Sequence, residues 1–440
     1  MFNLNHNLAR FTLKTFFYWA GFFFLVGFFS ARAQTPEELS LSQVIDVAIL
    51  NNPIIQKARR EIEAANARVL QAGRIPNPEL GINWNESSSI IKPGNANERD
   101  ISVIQSVEFP TKRSNRIDVA SADKELAQLR LDRTILLVTS HVKRSYYDLV
   151  LSLKIAENLD KQLVLLKDFQ QILTARYQAG ASSYLDVVRA KVELTRLRND
   201  IIEAQRAKQV RVRRLILLID RIPEQAILLT DSFPTVLTSV NIDSLTNSLS
   251  ERSIAARIAQ LNVLRQEQSL SLAKTTYFPD FQIGVANQRR GDITNLWGIE
   301  LKASLPLWFW KEPEGLVQEG KALSDIAVLN QKAIELQVRA SIRSAIELLA
   351  AAEAQLSSFD RSLLSDADDI VSTAVNQYQN NQIDVLNLLD IYRTHRTTRL
   401  EYLRALHNYA VAFAELEAAA ELPRQTEGGL ASDNSFLTGD

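Results

Sequence analysis

The chain of 440 residues contains no cysteine. Disulfide bonds, thiolate metal sites, cysteine nucleophiles and a lipid anchor on an N-terminal cysteine are therefore excluded. Four histidines and a single methionine, the initiator, leave few ligands for a soft metal ion. Lysine and arginine number 50 against 51 for aspartate and glutamate, so there is no basic excess to bind a phosphate backbone. We expect no nucleic-acid partner, no cofactor and no metal site.

Long apolar runs are also scarce, and the only one, at residues 15–29, lies near the N-terminus. It follows Arg10 and Lys14 and precedes an Ala-Arg-Ala sequence, which is the order of a secretory signal peptide. Its length of about 15 residues falls short of the roughly 20 that a spanning helix needs. We predict that residues 1–33 are a signal peptide and that the mature chain is exported. Any membrane-spanning part must then be built of strands.

Proline is absent from two tracts of over a hundred residues, 111–222 and 314–422. Because proline inside a helix costs about 3 kcal/mol, these tracts, rich in Ala, Leu, Gln, Arg and Glu, predict very long helices. Each is interrupted once, around Gly180 or Asn381, residue types that tolerate the left-handed conformation ending a helix. The sequence therefore predicts two helical hairpins, and a further helix before each strand pair. The hairpins are 111–219 and 314–420, their long first arms are 111–179 and 314–379, and the further helices are 41–72 and 244–274.

The two halves of the chain repeat each other. Tyr177 and Tyr378 lie 201 positions apart, and the same offset places Pro78 on Pro279. This indicates an internal duplication of one structural unit. The predicted division is a signal peptide at 1–33, structural repeats at 34–240 and 241–422, and a flexible tail at 423–440.

Each half also contains segments in which apolar and polar residues alternate, the period of a β-strand. Leu80, Ile82 and Trp84 alternate with polar residues, for example. The pattern predicts four strands in two hairpins, 79–109 and 280–305, joined by polar loops at 86–100 and 288–295. Apolar positions such as Ile82, Val103, Ile283 and Ile299 would share one face. The polar positions predicted to line a wet interior are Asn83, Ser102, Glu108, Gln282, Glu300 and Lys302.

These strands have the length of transmembrane barrel strands, but a small soluble sheet with one wet face fits the alternation equally well. The neighbouring sequence favours transmembrane strands over a soluble sheet. It is predicted to form long helices, which leaves no segment to pack on the apolar face of the sheet. Four strands are too few to close a barrel, and sheet edges are not tolerated in lipid. Several chains must therefore contribute their strands to one barrel; three chains, for example, would supply twelve strands.

The residues also carry a family resemblance. The first strand is preceded by Gln-Ala-Gly-Arg-Ile-Pro-Asn-Pro-Glu-Leu at 71–80, and the first turn contains Arg-Tyr-Gln-Ala-Gly at 176–180, followed by Tyr-Leu-Asp-Val-Val-Arg-Ala at 184–190. With the motif at 48–53 and the duplication, the chain resembles the TolC family of outer-membrane efflux channels over roughly residues 36–422. The stretches 76–80 and 105–109 are most similar to its heavy-metal branch, which exports cobalt, zinc and cadmium or copper.

The resemblance implies a mainly α fold with a small β part. Long α-helical hairpins would form a periplasmic α-barrel, and four transmembrane β-strands per chain would contribute to a trimeric β-barrel in the cell outer membrane. It implies a homotrimer in outer-membrane lipid that passively conducts substrates, metal cations or drugs, and does no chemistry. Its implied partners are a periplasmic adaptor protein and an inner-membrane pump of the resistance-nodulation-division type.

The resemblance also implies where the periplasmic mouth closes. In the family, a Tyr and an Arg of the second turn are linked to an Asp of the first, and acidic residues form a ring. The Tyr and Asp match Tyr378 and Asp186, and the ring matches Asn387 and Asp390. Ile383 stands at the Arg position, so we expect a weaker lock. The tips expected to dock the adaptor are Ala179, Gly180, Ala181, Asn380, Asn381 and Gln382.

A periplasmic adaptor or coiled-coil scaffold, with a binding function only, is the alternative. An adaptor normally has one helical hairpin flanked by domains of many short strands, whereas two hairpins and four strands are predicted here. An enzyme is the least favoured class, because there are no paired carboxylates on loops, no nucleophile elbow and no phosphate loop. His141, His395 and His407 are predicted to lie on solvated helix surface.

Overall fold

The computed structural model describes residues 37–85, 98–220, 227–234, 253–359 and 361–421. The predicted signal peptide and C-terminal tail lie outside the described residues. So do most of the first predicted strand loop and the beginning of the helix predicted at 244–274.

The first half begins with strand β1 (Glu37–Leu39) and two helices, α1 (Leu41–Asn51) and α2 (Pro53–Ala72). The prediction of a single helix over 41–72 is therefore wrong. The backbone leaves the helical region at Asn52, whose ψ is 123°, because proline disfavours a helical conformation in the residue before it. The Asn52 side chain then caps α2 by accepting a hydrogen bond from the backbone N–H of Ile54 at 2.9 Å.

The first helical hairpin consists of α3 (Pro110–Gln178) and α4 (Tyr184–Leu218). Helix α3 has 69 residues and is about 100 Å long, as predicted. After it, strand β4 (Ile227–Leu229) pairs in parallel with β1. The sequence did not predict this two-stranded sheet, because three-residue strands carry too little periodicity.

The second half contains α5 (Ile254–Lys274), α6 (Glu312–Ser357), α7 (Arg361–Gln379) and α8 (Val385–Ala419). The prediction of one continuous arm over 314–379 is wrong, because the arm is divided between α6 and α7. Near the end of α6 the hydroxyl groups of two consecutive serines, 357 and 358, bond back to carbonyl oxygens three residues earlier at 2.9 and 2.7 Å. Such local side-chain bonds compete with the helix and weaken it.

The remaining strands are β2 (Glu79–Asn85), β3 (Glu98–Val107), β5 (Asp280–Arg290) and β6 (Ile293–Ser304). They form one antiparallel sheet in the order β2-β3-β5-β6, so the pairing of β3 with β5 joins the two halves of the chain.

The prediction of a loop at 288–295 is wrong. The strands β5 and β6 continue to a two-residue turn at 291 and 292, where Gly291 has φ 57°. Glycine adopts this left-handed conformation at no steric cost. An irregularity in the β5–β6 register follows, with Asn295 at φ 63°.

Candidate functional site

One face of the four-stranded sheet is apolar and uncovered. Leu80, Val103, Val285 and Ile299 lie opposite one another across the four strands, and they are 68%, 49%, 47% and 80% exposed. A continuous exposed patch of large apolar side chains marks an interaction surface. We call this the apolar face; it confirms the predicted arrangement of Ile82, Val103, Ile283 and Ile299. Other exposed residues at its alternating positions are Trp84, Val107, Phe281, Trp297 and Leu301.

The opposite side, here called the polar face, carries Asn83, Ser102, Gln282, Glu300 and Lys302 at the alternate positions of the strands. Glu300 and Lys302 form an ion pair at 2.6 Å.

Glu108, also predicted to line the interior, lies beyond the end of β3. Its carboxylate is held by Arg116 of α3 at 2.9 Å, and this hydrogen bond lowers the pKa of Glu108 below its ordinary value. Glu108 therefore fastens the sheet to the helices.

The two edges of this sheet are unlike in length. Strand β2 has 7 residues and β6 has 12, and neither has a further partner strand among the described residues. Such edges present unpaired backbone N–H and C=O groups, which are costly in lipid.

The tips of the two helical hairpins have the same backbone geometry. Gly180 and Asn381 are both left-handed, with φ 74° and 58°. The residue after each donates its backbone N–H to the carbonyl oxygen five positions earlier, at 2.8 Å in both tips. These bonds define a Schellman motif at each turn. The six predicted docking residues, Ala179, Gly180, Ala181, Asn380, Asn381 and Gln382, are all exposed.

Arg176 of the first tip is bound to the second tip. Its guanidinium donates to the carbonyl oxygens of Tyr378 at 3.3 Å and Gln379 at 2.9 Å, and to the side-chain oxygen of Asn381. It also lies over the Tyr378 ring, 5.0 Å from the ring centre. The family resemblance places the linking arginine at the position of Ile383 and does not predict Arg176. Arg176 follows buried Leu173 by three residues, a spacing that places both on one helix face.

The predicted hydrogen bond from Tyr378 to Asp186 is not formed within the chain. Tyr378 is only 6% exposed, and its ring packs edge-on against Phe169 at 5.5 Å. The Asp186 carboxylate accepts instead from Arg189, one turn along its own helix, at 3.3 Å. Tyr378 is buried in the core beneath the tips.

Asn387 and Asp390 are both exposed and lie three residues apart on α8, so they share a face of that helix. The backbone N–H of Asn387 donates to the Asp384 carboxylate, which caps α8, at 2.8 Å. This cap fixes the start of the helix and thereby the direction of both side chains.

A buried carboxylate ties the two hairpins together above the tips. The Glu193 side chain is 4% exposed and accepts from Arg393 at 2.6 Å, with Arg396 at 3.8 Å and Arg196 at 3.7 Å. Burial disfavours the charge, but the hydrogen bond from Arg393 and the charges of the three arginines outweigh it and lower the pKa of Glu193.

The prediction that His395 and His407 are solvated is wrong. His395 is 7% exposed; its Nδ1 lies 2.9 Å from Gln162 Nε2 and its Nε2 lies 2.8 Å from Asp368 Oδ1. His407 Nε2 lies 2.8 Å from Asp148 Oδ1. Both histidines join helices. No group of three or more His, Cys, Asp or Glu residues in the described part of the chain is arranged to hold a metal ion.

Within the described residues, no helix is both long and apolar enough to span a membrane. The sheet and paired helical hairpins define a class of fold shared with outer-membrane channels. The chain superimposes on CusC with a TM-score of 0.74 and 16% identity, covering 89% of this chain and 95% of the other. For VceC of Vibrio cholerae the TM-score is 0.72 at 17% identity, with 86% and 95% covered.

Part of the chain also matches a protein family by sequence. Residues 44–220 match the model of the family described as "Outer membrane efflux protein". The chain is 21% identical over 383 residues to the cobalt-zinc-cadmium resistance protein CzcC of Cupriavidus metallidurans, covering 87% of this chain and 89% of that protein. The chain therefore contains a domain of this family, over residues 44–220, and most of its length is similar to the proteins named above.

Proposed function

We propose that three copies of the chain assemble into one channel across the outer membrane, which passively carries substrates out of the periplasm. Each copy supplies four strands to a twelve-stranded barrel, with the apolar face toward lipid and the polar face toward the lumen. The helical hairpins continue the channel as a periplasmic α-barrel. Their tips dock a periplasmic adaptor that connects the channel to an inner-membrane pump of the resistance-nodulation-division type.

The uncovered apolar face of the sheet, bounded by two unpaired edges, carries this proposal. In the proposed channel, lipid covers the apolar side chains of the face, and strands of neighbouring copies pair with the backbone N–H and C=O groups of the two edges. Neither requirement arises in a soluble adaptor or scaffold.

The mass of the purified protein in detergent tests the assembly. We expect three copies per particle, and single-channel currents when the particle is added to a planar bilayer. A stable monomer that needs no detergent and retains its helices would contradict the channel and favour the scaffold.

We propose metal cations as the substrate class. The resistance protein named above provides the analogy, and the exposed Asp390 provides a charge at the proposed mouth. Deleting the gene should sensitise its host to zinc, cobalt or cadmium more than to dyes or detergents. Equal sensitisation to dyes would instead favour a drug channel.

Asp390 and Asn387 form the proposed constriction, with Asp186 and the buried Tyr378 on the supporting side. Three copies of Asp390 in a narrow, water-filled mouth concentrate cations. Asp390→Asn should lower cation selectivity and reduce block by divalent ions in single-channel recordings. The assignment fails if selectivity and block are unchanged.

Arg176 is the proposed link that holds the two tips of one chain together. Arg176→Gln removes its contacts with three residues of the second hairpin, and should raise the fraction of time that the channel is open. Arg189→Gln is a matched control, because among the described residues Arg189 bonds only to Asp186 on its own helix. Equal gating of the two variants would show that the link between tips does not restrain the mouth.

A further inference from the structure

Two arginines lie side by side on the apolar face, at the end of the sheet farthest from the helices. Arg99 of β3 is opposite Arg289 of β5, and Trp84 of β2 is opposite Arg99 on its other side. Side chains that are directly opposite in antiparallel strands have Cβ atoms about 4.5–5.5 Å apart. The strand alternation places this row on the same face as Val103 and Val285.

The charges of these two arginines are not neutralised within the described part of the chain. Neither forms an ion pair there, and both are exposed; Arg289 donates only to the carbonyl oxygen of Gly291, at 3.2 Å. The neighbouring acids, Glu98 and Asp100, alternate onto the polar face, where Glu98 is opposite Arg290. Like charges opposite each other destabilise a sheet, so the pair is a place where an anion is favoured.

The arginines lie at the height of a membrane interface. From Val107 to Arg99, strand β3 rises about 27 Å along its length, or about 20 Å along the membrane normal at the usual tilt of barrel strands. This is close to the ~25 Å apolar band of outer-membrane barrels. Because the helices adjoin the opposite end of the sheet, the arginines face the outer leaflet.

We propose that Arg99 and Arg289 bind the phosphate groups of the outer-leaflet glycolipid, a phosphorylated, multiply acylated sugar of the lipid A type. Guanidinium groups bind phosphate through two parallel N–H donors. Trp84 and Trp297, 46% and 73% exposed on the same face, supply the amphipathic rings that favour this depth. The inference rests on the proposed function, because it takes the apolar face as the lipid face.

Binding of lipid A that carries both phosphates tests the proposal, with the bound lipid counted by native mass spectrometry of the assembled protein in detergent. The double variant R99Q/R289Q should bind it at least about tenfold more weakly than the wild type, since each hydrogen bond to a charged group contributes appreciably. Arg290→Gln is the matched control, because Arg290 is adjacent in sequence but lies on the polar face; it should bind like the wild type.

Two further lipids separate the sources of binding. Dephosphorylated lipid A should bind the wild type as weakly as the double variant does. The proposal is overturned if it binds as tightly as the phosphorylated form, if phosphatidylglycerol competes equally, or if R290Q loses binding as R99Q/R289Q does. An assembled, conducting channel that shows any of these results refutes the lipid site alone, whereas a water-soluble monomer refutes the proposed function as well.

Discussion

Val285→Arg should prevent most of the protein from assembling in a bilayer. Val285 lies in the middle of β5, opposite Val103 and Ile299, on the face that we assign to lipid. An arginine on the lipid face near the middle of a membrane barrel costs about 2–4 kcal/mol. In a trimer the change occurs three times, so the loss of assembled protein should be large. The fraction of trimer recovered after refolding into liposomes, resolved by size in mild detergent, measures it.

Ala286→Arg is the matched control. Ala286 is the next residue of β5 and belongs to the polar face, where its neighbours across the sheet are Ser102 and Gly298. An arginine there can reach water, so assembly should be nearly unaffected while conductance changes. If both variants assemble alike, the assignment of the two faces is wrong.

Glu193→Gln should produce the largest loss of stability among the helical hairpins. The change leaves Arg393, Arg396 and Arg196 without their buried carboxylate and replaces a charged acceptor by a neutral one. We expect a cost of about 2–3 kcal/mol, because the arginines retain partial access to water. Urea unfolding of the purified protein, followed by the helical circular dichroism signal, measures the change.

The same variant has a pH signature. The folded-state pKa of Glu193 is lowered, so its contribution is present above the unfolded-state value of about 4.3 and is lost as pH falls through the folded value. The difference between wild type and variant should therefore shrink in acid.

Asp200→Asn is the control, since the Asp200 side chain is 52% exposed and its pair with Arg396 should contribute at most about 1 kcal/mol. A loss equal to that of Glu193→Gln would contradict the role of burial.

The sequence predicted the features that depend on local periodicity. Long proline-free tracts predicted α3, and the strict alternation in Leu80, Ile82 and Trp84 predicted an apolar face. Both signals repeat over many residues, so single exceptions do not hide them. The positive φ angles of Gly180 and Asn381 were equally accessible, because few residue types tolerate them.

The features that the sequence did not reveal are long-range or rest on one residue. The pairing of β3 with β5 joins segments about 180 positions apart, and no local pattern specifies it. His395 is predicted to lie on the surface because it has no i, i+4 partner on its helix, yet it follows buried Leu388 and Tyr392 at helical spacing. That spacing places it on the buried face, and the partners Gln162 and Asp368 then satisfy both ring nitrogens. The spacing of apolar residues identifies the buried face of a helix, whereas the residues that contact that face are identified only by the packing of the helices.

The two long arms differ mechanically. Helix α3 runs without a break from the end of the sheet to the first tip. The matching arm of the second hairpin is divided between α6, which ends at Ser357, and α7, which begins at Arg361. An uninterrupted helix transmits a force along its whole length, whereas an interrupted helix bends most easily at the interruption. We therefore expect movement of the second tip to be absorbed between α6 and α7 and not to reach the strands. On this expectation the second hairpin changes its direction more readily than the first.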